Sequence, residues 1–134
     1  MASVQNNILI VDDLPDWRKT LSGLLIDVGY DVQTAESSAR ALALLEKNHC
    51  DLAVVDLRLD ESNEDDEGGL DLAVQIKQRW PNVKVIIITG YGTPARIKRA
   101  IEPDSQTGLK LADDYIPKTE TDKLATTVQR ILAR

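Results

Sequence analysis

The chain lacks the features that mark secreted, membrane-spanning and nucleic-acid-binding proteins. Its single cysteine, Cys50, cannot form an internal disulfide, so we expect a cytoplasmic location. No apolar run exceeds the length of a strand and the amino-terminal segment is polar, so the sequence predicts neither a signal peptide nor a membrane span. A net charge of −6 argues against direct binding to nucleic acid. The 134 residues leave no room for a second domain, and a 43% hydrophobic content suits a single core.

What the chain does contain is a regular alternation of strand-like and helix-like segments. This alternation is typical of a parallel sheet with helices on both faces. We expect Ser37 or Ser38 to cap the second helix and Thr119 or Thr121 to cap the last. The predicted strands are 8–13, 30–35, 52–56, 85–89 and 114–118, and the predicted helices are Pro15–Val28, 39–48, Gly69–Trp80, 94–102 and 121–134.

Polar residues stand at the carboxyl ends of four of these predicted strands. They are Asp12 and Asp13, Asp56, Thr89 and Lys118. Each of them alone could be a helix cap, a turn residue or a solvated strand end. In a doubly wound sheet, however, the carboxyl ends of the strands border one crevice, so we expect all five to meet there.

The chemistry of this set points to a metal ion and a phosphoryl group. Three close carboxylates repel one another unless a cation is present, and hard oxygen ligands suit Mg²⁺. Asp56, on the central strand, is the best nucleophile, while Lys118 can pair with phosphoryl oxygens and Thr89 can donate a hydrogen bond to them.

With these five positions agreeing in order and context, the chain resembles the receiver domain of two-component response regulators over essentially its whole length. The resemblance implies an α/β, flavodoxin-like, doubly wound (βα)5 fold in three layers, with a five-stranded parallel sheet in the order 2-1-3-4-5. It implies that Asp56 accepts the phosphoryl group and also binds Mg²⁺. Asp13 would bind the metal directly, Asp12 largely through metal-bound water, and the Arg58 carbonyl would complete the protein ligands.

The resemblance also assigns roles around the phosphoryl group. Thr89 and Lys118 would contact it, and Tyr115 stands where the family has an aromatic switch that turns inward as the Thr89 hydroxyl moves. Gly90 would leave a path for the phosphodonor. The large side chains of Arg58 and Tyr91 lie two positions beyond Asp56 and Thr89, and we expect them to shield the phosphoryl group from water and lengthen its lifetime.

Several positions depart from the family's pattern. The family's lysine is usually followed by a proline through a cis bond, but here Thr119 follows Lys118. A cis bond without proline costs about 3–4 kcal/mol, so either the fold compels it or the loop differs, and we expect it to be retained. Asp60 replaces a proline usual after the acceptor. We predict a single domain over residues 1–134, with a core of about 7–134. Compared with the family's pattern, the loops at 60–68 and 103–111 are enlarged.

The function implied is that of a phosphoacceptor signalling domain and not of a turnover enzyme. The expected partner is a histidine kinase or a phosphotransfer protein. Phosphorylation would switch the surface formed by the fourth helix, fifth strand and fifth helix, where a homodimer can also form. We expect neither nucleic acid nor a membrane as a direct partner.

Two other functions remain open from the sequence. One is a Mg²⁺-dependent phosphohydrolase with an aspartyl phosphate, although such enzymes usually need a second acid where this chain has Arg58. The other is a degenerate receiver that serves as a protein-interaction module, which the altered junction after Lys118 and the two enlarged loops make conceivable.

Overall fold

The architecture is a parallel five-stranded sheet in the order β2-β1-β3-β4-β5, as predicted. The computed structural model describes residues 6–57, 68–90, 110 and 112–133. No helix within these ranges is both long and apolar enough to cross a membrane. The strands are β1 (Asn7–Val11), β2 (Asp31–Ala35), β3 (Leu52–Asp56), β4 (Lys84–Thr89) and β5 (Asp114–Pro117). The helices are α1 (Pro15–Ile26), α2 (Ser38–Lys47), α3 (Gly68–Arg79) and α4 (Leu124–Leu132), with a 3₁₀-helix at Lys118–Lys123.

The central strands are apolar on both faces because helices cover both sides of the sheet. All five residues of β3 are buried. Along β1, Leu9 and Val11 join a core cluster with residues of α2 and α3, whereas Ile8 and Ile10 join a second cluster with residues of α1 and α4. This alternation follows from the two-residue period of a strand, and it produces the continuous apolar runs seen in the sequence.

A capping side chain marks the start of α2, and a glycine turn follows the end of α1. Ser37 is the cap of α2, since its hydroxyl accepts a hydrogen bond from the backbone N–H of Arg40. Helix α1 ends at Ile26, two residues before the predicted end. Gly29 then adopts φ 101°, a conformation that favours glycine, as the chain turns into β2.

The start of the last helix differs from the prediction in two respects. Neither Thr119 nor Thr121 caps it: the 3₁₀-helix comes first, and α4 begins at Leu124 with Lys123 in the cap position and no side-chain cap bond. The expected cis bond is also wrong, because the described residues, which include Lys118 and Thr119, have no cis peptide. Without a proline at position 119 the trans form is favoured by several kcal/mol, and the backbone turns into the 3₁₀-helix instead.

Three sequence predictions concern segments outside the described residues. The helix expected at 94–102 lies there, as does most of the two enlarged loops, 60–68 and 103–111. Only Gly68 and Lys110 of those loops fall within the described ranges.

Candidate functional site

The strand register brings the predicted polar residues to one edge of the sheet. Asp12 directly follows β1, and Asp56 ends β3 beside Ile88 of β4. Thr89 ends β4 opposite Pro117, so Lys118 is the next residue beyond that edge. The strand order reverses between β1 and β3, which is where parallel sheets of this kind open a crevice.

Three carboxylates form the centre of this crevice. Asp12, Asp13 and Asp56 each offer an oxygen, and these atoms all lie within 4.8 Å of one another. Asp12 and Asp56 are 0% and 1% exposed, so water screens their repulsion poorly. Hard oxygen donors of this kind suit Mg²⁺. Asp56 ends β3, and Asp12 directly follows β1, the strand that pairs with β3.

Lys118 supplies the positive charge in the described part of the crevice. Its Nζ lies 2.9 Å from Asp12 Oδ2 and donates a hydrogen bond of 3.0 Å to Asp56 Oδ2. The three carboxylates beside this ammonium are hard oxygen donors of the kind that Mg²⁺ prefers.

The ionisation of Lys118 is governed by burial and by its two acidic partners. Burial lowers the pKa of Lys118, but Asp56 and Asp12 outweigh that effect and raise it above the usual 10.5. Because the pKa is raised on folding, the ion pairs stabilise the protein fully below the unfolded-state value. That contribution is lost as the pH rises through the higher folded-state pKa. The ammonium is therefore charged throughout the neutral range.

Two backbone contacts fix the orientation of Asp12, and the sequence reasoning missed both. The Leu14 N–H donates a 2.9 Å hydrogen bond to Asp12 Oδ1, and the Arg18 guanidinium donates a 2.8 Å bond to the Asp12 carbonyl oxygen. The hydrogen bond from Leu14 closes an Asx turn. An aspartate shortly before a helix that begins with proline can indicate such a turn in a sequence. With Oδ1 engaged in this way, Oδ2 is directed to the crevice and to Lys118.

Gly69 holds the start of α3 against the backbone of the strand that carries Asp56. The Gly69 N–H donates a 2.9 Å hydrogen bond to the Leu57 carbonyl, and a Cβ on Gly69 would lie 1.9 Å from the Asp56 carbonyl oxygen. Glycine is therefore required by close backbone approach. The sequence predicts Gly69 as the start of a helix, but it gives no sign of the close contact with Asp56.

Of the other residues predicted for the site, three lie within the described part of the chain and two lie outside it. Thr89 is 1% exposed at the end of β4, and the nearest atom to a Cβ on the exposed Gly90 would be Lys118 Cδ at 3.9 Å. Tyr115 packs half-buried against the core cluster on the α2 and α3 side, and burial, with Glu120, raises its pKa above 10.0. The predicted modulating residues Arg58 and Tyr91 lie outside the described residues.

The opposite end of the sheet holds the single cysteine and the single histidine. His49 Nε2 lies 2.8 Å from Asp51 Oδ1, while Cys50 Sγ donates to the Leu52 carbonyl at 3.3 Å. Burial raises the pKa of the Cys50 thiol to about 11, so it is neither a thiolate nucleophile nor a ready metal ligand.

Removing the Lys118 ammonium is expected to destabilise the metal-free protein. Lys118→Met removes the ammonium that pairs with Asp12 and Asp56, and we expect a loss of about 2–3 kcal/mol in the free energy of unfolding, below the cost for a fully enclosed pair because the crevice opens at the sheet edge. Urea unfolding without and with Mg²⁺ measures this loss. The metal should reduce it, and adding Asp12→Asn to Lys118→Met should restore much of the stability. Equal stability of Lys118→Met and the parent chain would contradict the expectation.

Comparison with known proteins identifies a single family. Residues 8–129 match the family model for the response regulator receiver domain. A putative response regulator, NtrX-like, from Rickettsia bellii is 34% identical over 125 residues, which cover 92% of this chain and 24% of that protein. The chain thus spans only about a quarter of the length of this relative.

Solved structures show the same architecture. A CheY-like receiver domain protein from Methanospirillum hungatei has a TM-score of 0.80 at 27% identity, covering 97% of this chain and 95% of that one. The response regulator TrrA from Thermotoga maritima, solved in complex with Mg²⁺ and BeF, has a TM-score of 0.73 at 28% identity, covering 94% and 98%.

Proposed function

Since this chain belongs to the response regulator receiver domain family, we propose that it takes a phosphoryl group onto Asp56 from the phosphohistidine of a sensor kinase or phosphotransfer protein. One observation carries the proposal. Three carboxylates lie within 4.8 Å of one another, and Lys118 pairs with two of them at the crevice of the sheet. A nucleophile, a metal-ligand set and a cation for the transferred group are thereby concentrated in one place.

The proposed cofactor is Mg²⁺, held by Asp12, Asp13, Asp56 and the carbonyl of Arg58. When bound, the metal would supply positive charge to the carboxylates and to the phosphoryl oxygens. The complex of TrrA with Mg²⁺ and BeF supports this choice, because that relative shares the fold and the family. Within this chain, the Asx turn at Asp12 keeps one carboxylate oxygen directed to the crevice.

In the proposed reaction, a carboxylate oxygen of Asp56 attacks the phosphorus atom in line. The P–N bond of the donor breaks and its electron pair leaves with the imidazole, while a new P–O bond makes an aspartyl phosphate. Lys118 Nζ lies 3.0 Å from Asp56 Oδ2, and this proximity supports the proposal that the ammonium would pair with a phosphoryl oxygen. Thr89 would donate its hydroxyl to another, and Gly90 would leave the donor's path open.

The proposed output is a change of surface and not repeated turnover. Movement of the Thr89 hydroxyl toward the phosphoryl group would let Tyr115 turn inward, which changes the face that includes β5 and α4. That face would bind the partner or a second copy of the chain. We further propose that the chain is one receiver domain over 1–134, and that Arg58 and Tyr91 slow hydrolysis of the phosphoryl group.

The proposal is tested with acetyl phosphate as a small phosphodonor. We expect the chain to gain the mass of one phosphoryl group in the presence of Mg²⁺ and to gain none when EDTA removes the metal, as measured by intact-protein mass spectrometry. Size-exclusion chromatography of the same samples follows the oligomeric state. Absence of both the mass gain and beryllofluoride binding would favour an interaction module, whereas steady turnover of a small phosphomonoester would favour a phosphohydrolase.

A further inference from the structure

Trp17 places its indole ring beside the ammonium of Lys118. The sequence predicts Trp17 as a packing residue, and its ring does pack at the edge of the core cluster between the sheet and helices α1 and α4. In addition, Lys118 Nζ lies 4.9 Å from the ring centroid, over the ring. This distance is within the range of a cation–π interaction, in which the negative face of the ring attracts a positive charge.

The contact is strengthened by its surroundings. The Lys118 side chain is 7% exposed, so little water competes for the ammonium, and cation–π attraction increases on desolvation. Trp17 lies in the first turn of α1 and is half-buried, so helix and core hold the ring in place. Lysine, by contrast, has a flexible four-carbon stem with many rotamers, and its position depends on its partners.

The two carboxylates that pair with the Lys118 ammonium also have roles in the proposed reaction. Asp12 and Asp56 pair with Lys118 here, yet they are the groups assigned to the metal and to the phosphoryl group. When those carboxylates interact with the metal or the phosphoryl group, their electrostatic attraction for the Lys118 ammonium would weaken. An indole face is neither a Mg²⁺ ligand nor a nucleophile toward phosphorus, so the ring of Trp17 would continue to attract the ammonium.

We propose that Trp17 is a positioning residue for phosphoryl transfer, which holds the Lys118 ammonium in the crevice while the carboxylates change partners. This inference rests on the proposed phosphorylation of Asp56. It adds a residue that touches neither the phosphoryl group nor the metal and that acts through Lys118.

The chain offers a matched control in its second tryptophan. Trp80 also has a cation over its ring, the Arg79 guanidinium at 4.4 Å, but it packs against the other core cluster and follows α3 at the amino-terminal end of β4. Because Trp80 lies away from the crevice, Trp80→Phe is not expected to disturb the site. The substitution leaves Trp17 as the single tryptophan of the chain.

The experiment changes the charge on the Trp17 ring while nearly keeping its shape. The Trp80→Phe protein is produced with tryptophan, 5-fluorotryptophan or tetrafluorotryptophan, since fluorine withdraws electron density from the ring face and weakens cation–π attraction. With Mg²⁺ and acetyl phosphate, we expect the phosphorylation rate to fall stepwise, by about three- to tenfold for the tetrafluoro form. Trp17→Phe should retain a rate within about twofold of the parent and Trp17→Leu should not.

A second readout needs neither metal nor phosphodonor. The ε-methylene protons of Lys118, assigned by their loss in Lys118→Met, should be shifted upfield by the indole ring current, and Trp17→Leu should remove this shift while Trp80→Phe preserves it. A phosphorylation rate independent of fluorination would overturn the role of Trp17. If no form is phosphorylated although the ring-current shift is present, the proposed function fails and the contact itself stands.

Discussion

Asp56→Asn is expected to abolish the gain of one phosphoryl group from acetyl phosphate, with a rate at least about a thousandfold lower. The substitution keeps the size and shape of the side chain, so the crevice and its 3.0 Å approach to Lys118 remain possible. What is lost is the carboxylate oxygen that we propose to attack phosphorus, since an amide is a poor nucleophile. Intact-protein mass spectrometry over time, at fixed Mg²⁺ and acetyl phosphate, measures the difference.

The control for this prediction is an aspartate on the same sheet but away from the crevice. Asp31 is exposed at the amino-terminal start of β2, and Asp31→Asn removes one carboxylate of the same chemistry. We expect that variant to gain the phosphoryl group as the parent chain does. A mass gain that survives in Asp56→Asn would mean that another residue is the acceptor, and the proposed function would have to be abandoned.

Gly69→Ala is expected to destabilise the protein by about 3 kcal/mol or more. The added methyl group would lie 1.9 Å from the Asp56 carbonyl oxygen and 2.7 Å from Leu57 Cα, and both are backbone atoms that no rotamer change can move. To relieve the clash, either α3 or the end of β3 must shift, and the Gly69 bond to the Leu57 carbonyl would be strained. Urea and thermal unfolding both measure the loss.

A glycine within a helix serves as the matched control. Gly23 lies inside α1, and a Cβ there would meet nothing within 4 Å. Gly23→Ala should therefore stabilise the protein by about 0.5–1 kcal/mol, because alanine has the higher helix propensity. If Gly69→Ala unfolded at the same urea concentration as Gly23→Ala, the close approach of α3 to β3 would not be a structural requirement.

The strand assignments were predictable because their signals are local. Buried strands of a doubly wound sheet produce continuous apolar runs, and the polar residue that follows each run marks its end, as at Asp12, Asp56 and Thr89. The start of the last helix was not predictable in the same way. Threonines at 119 and 121 are good caps by residue type, but the turn after β5 is a 3₁₀-helix that depends on how the chain leaves the sheet.

The contacts within the site show the same division. The sequence indicated which polar residues lie at the crevice, but not which contacts fix their positions. The hydrogen bond from Arg18 to the Asp12 carbonyl and the approach of Gly69 to the Asp56 carbonyl depend on helix placement, which residue spacing does not encode. The family resemblance led to the wrong expectation of a cis bond after Lys118, because the proline that favours such a bond in the family is absent from this chain.

The sequence by itself determined the fold class, the strand order through the family resemblance, and the five polar residues at the strand ends. The fold class and the five polar residues follow from local periodicity and residue type, which act within a few positions along the chain, whereas the strand order is what the resemblance implies. The tertiary structure decided which atoms meet: Lys118 bonds to Asp56, 62 positions away, and the same ammonium lies over the ring of Trp17. Such contacts arise from the packing of separate strands and helices, so their distances exist only in the folded chain.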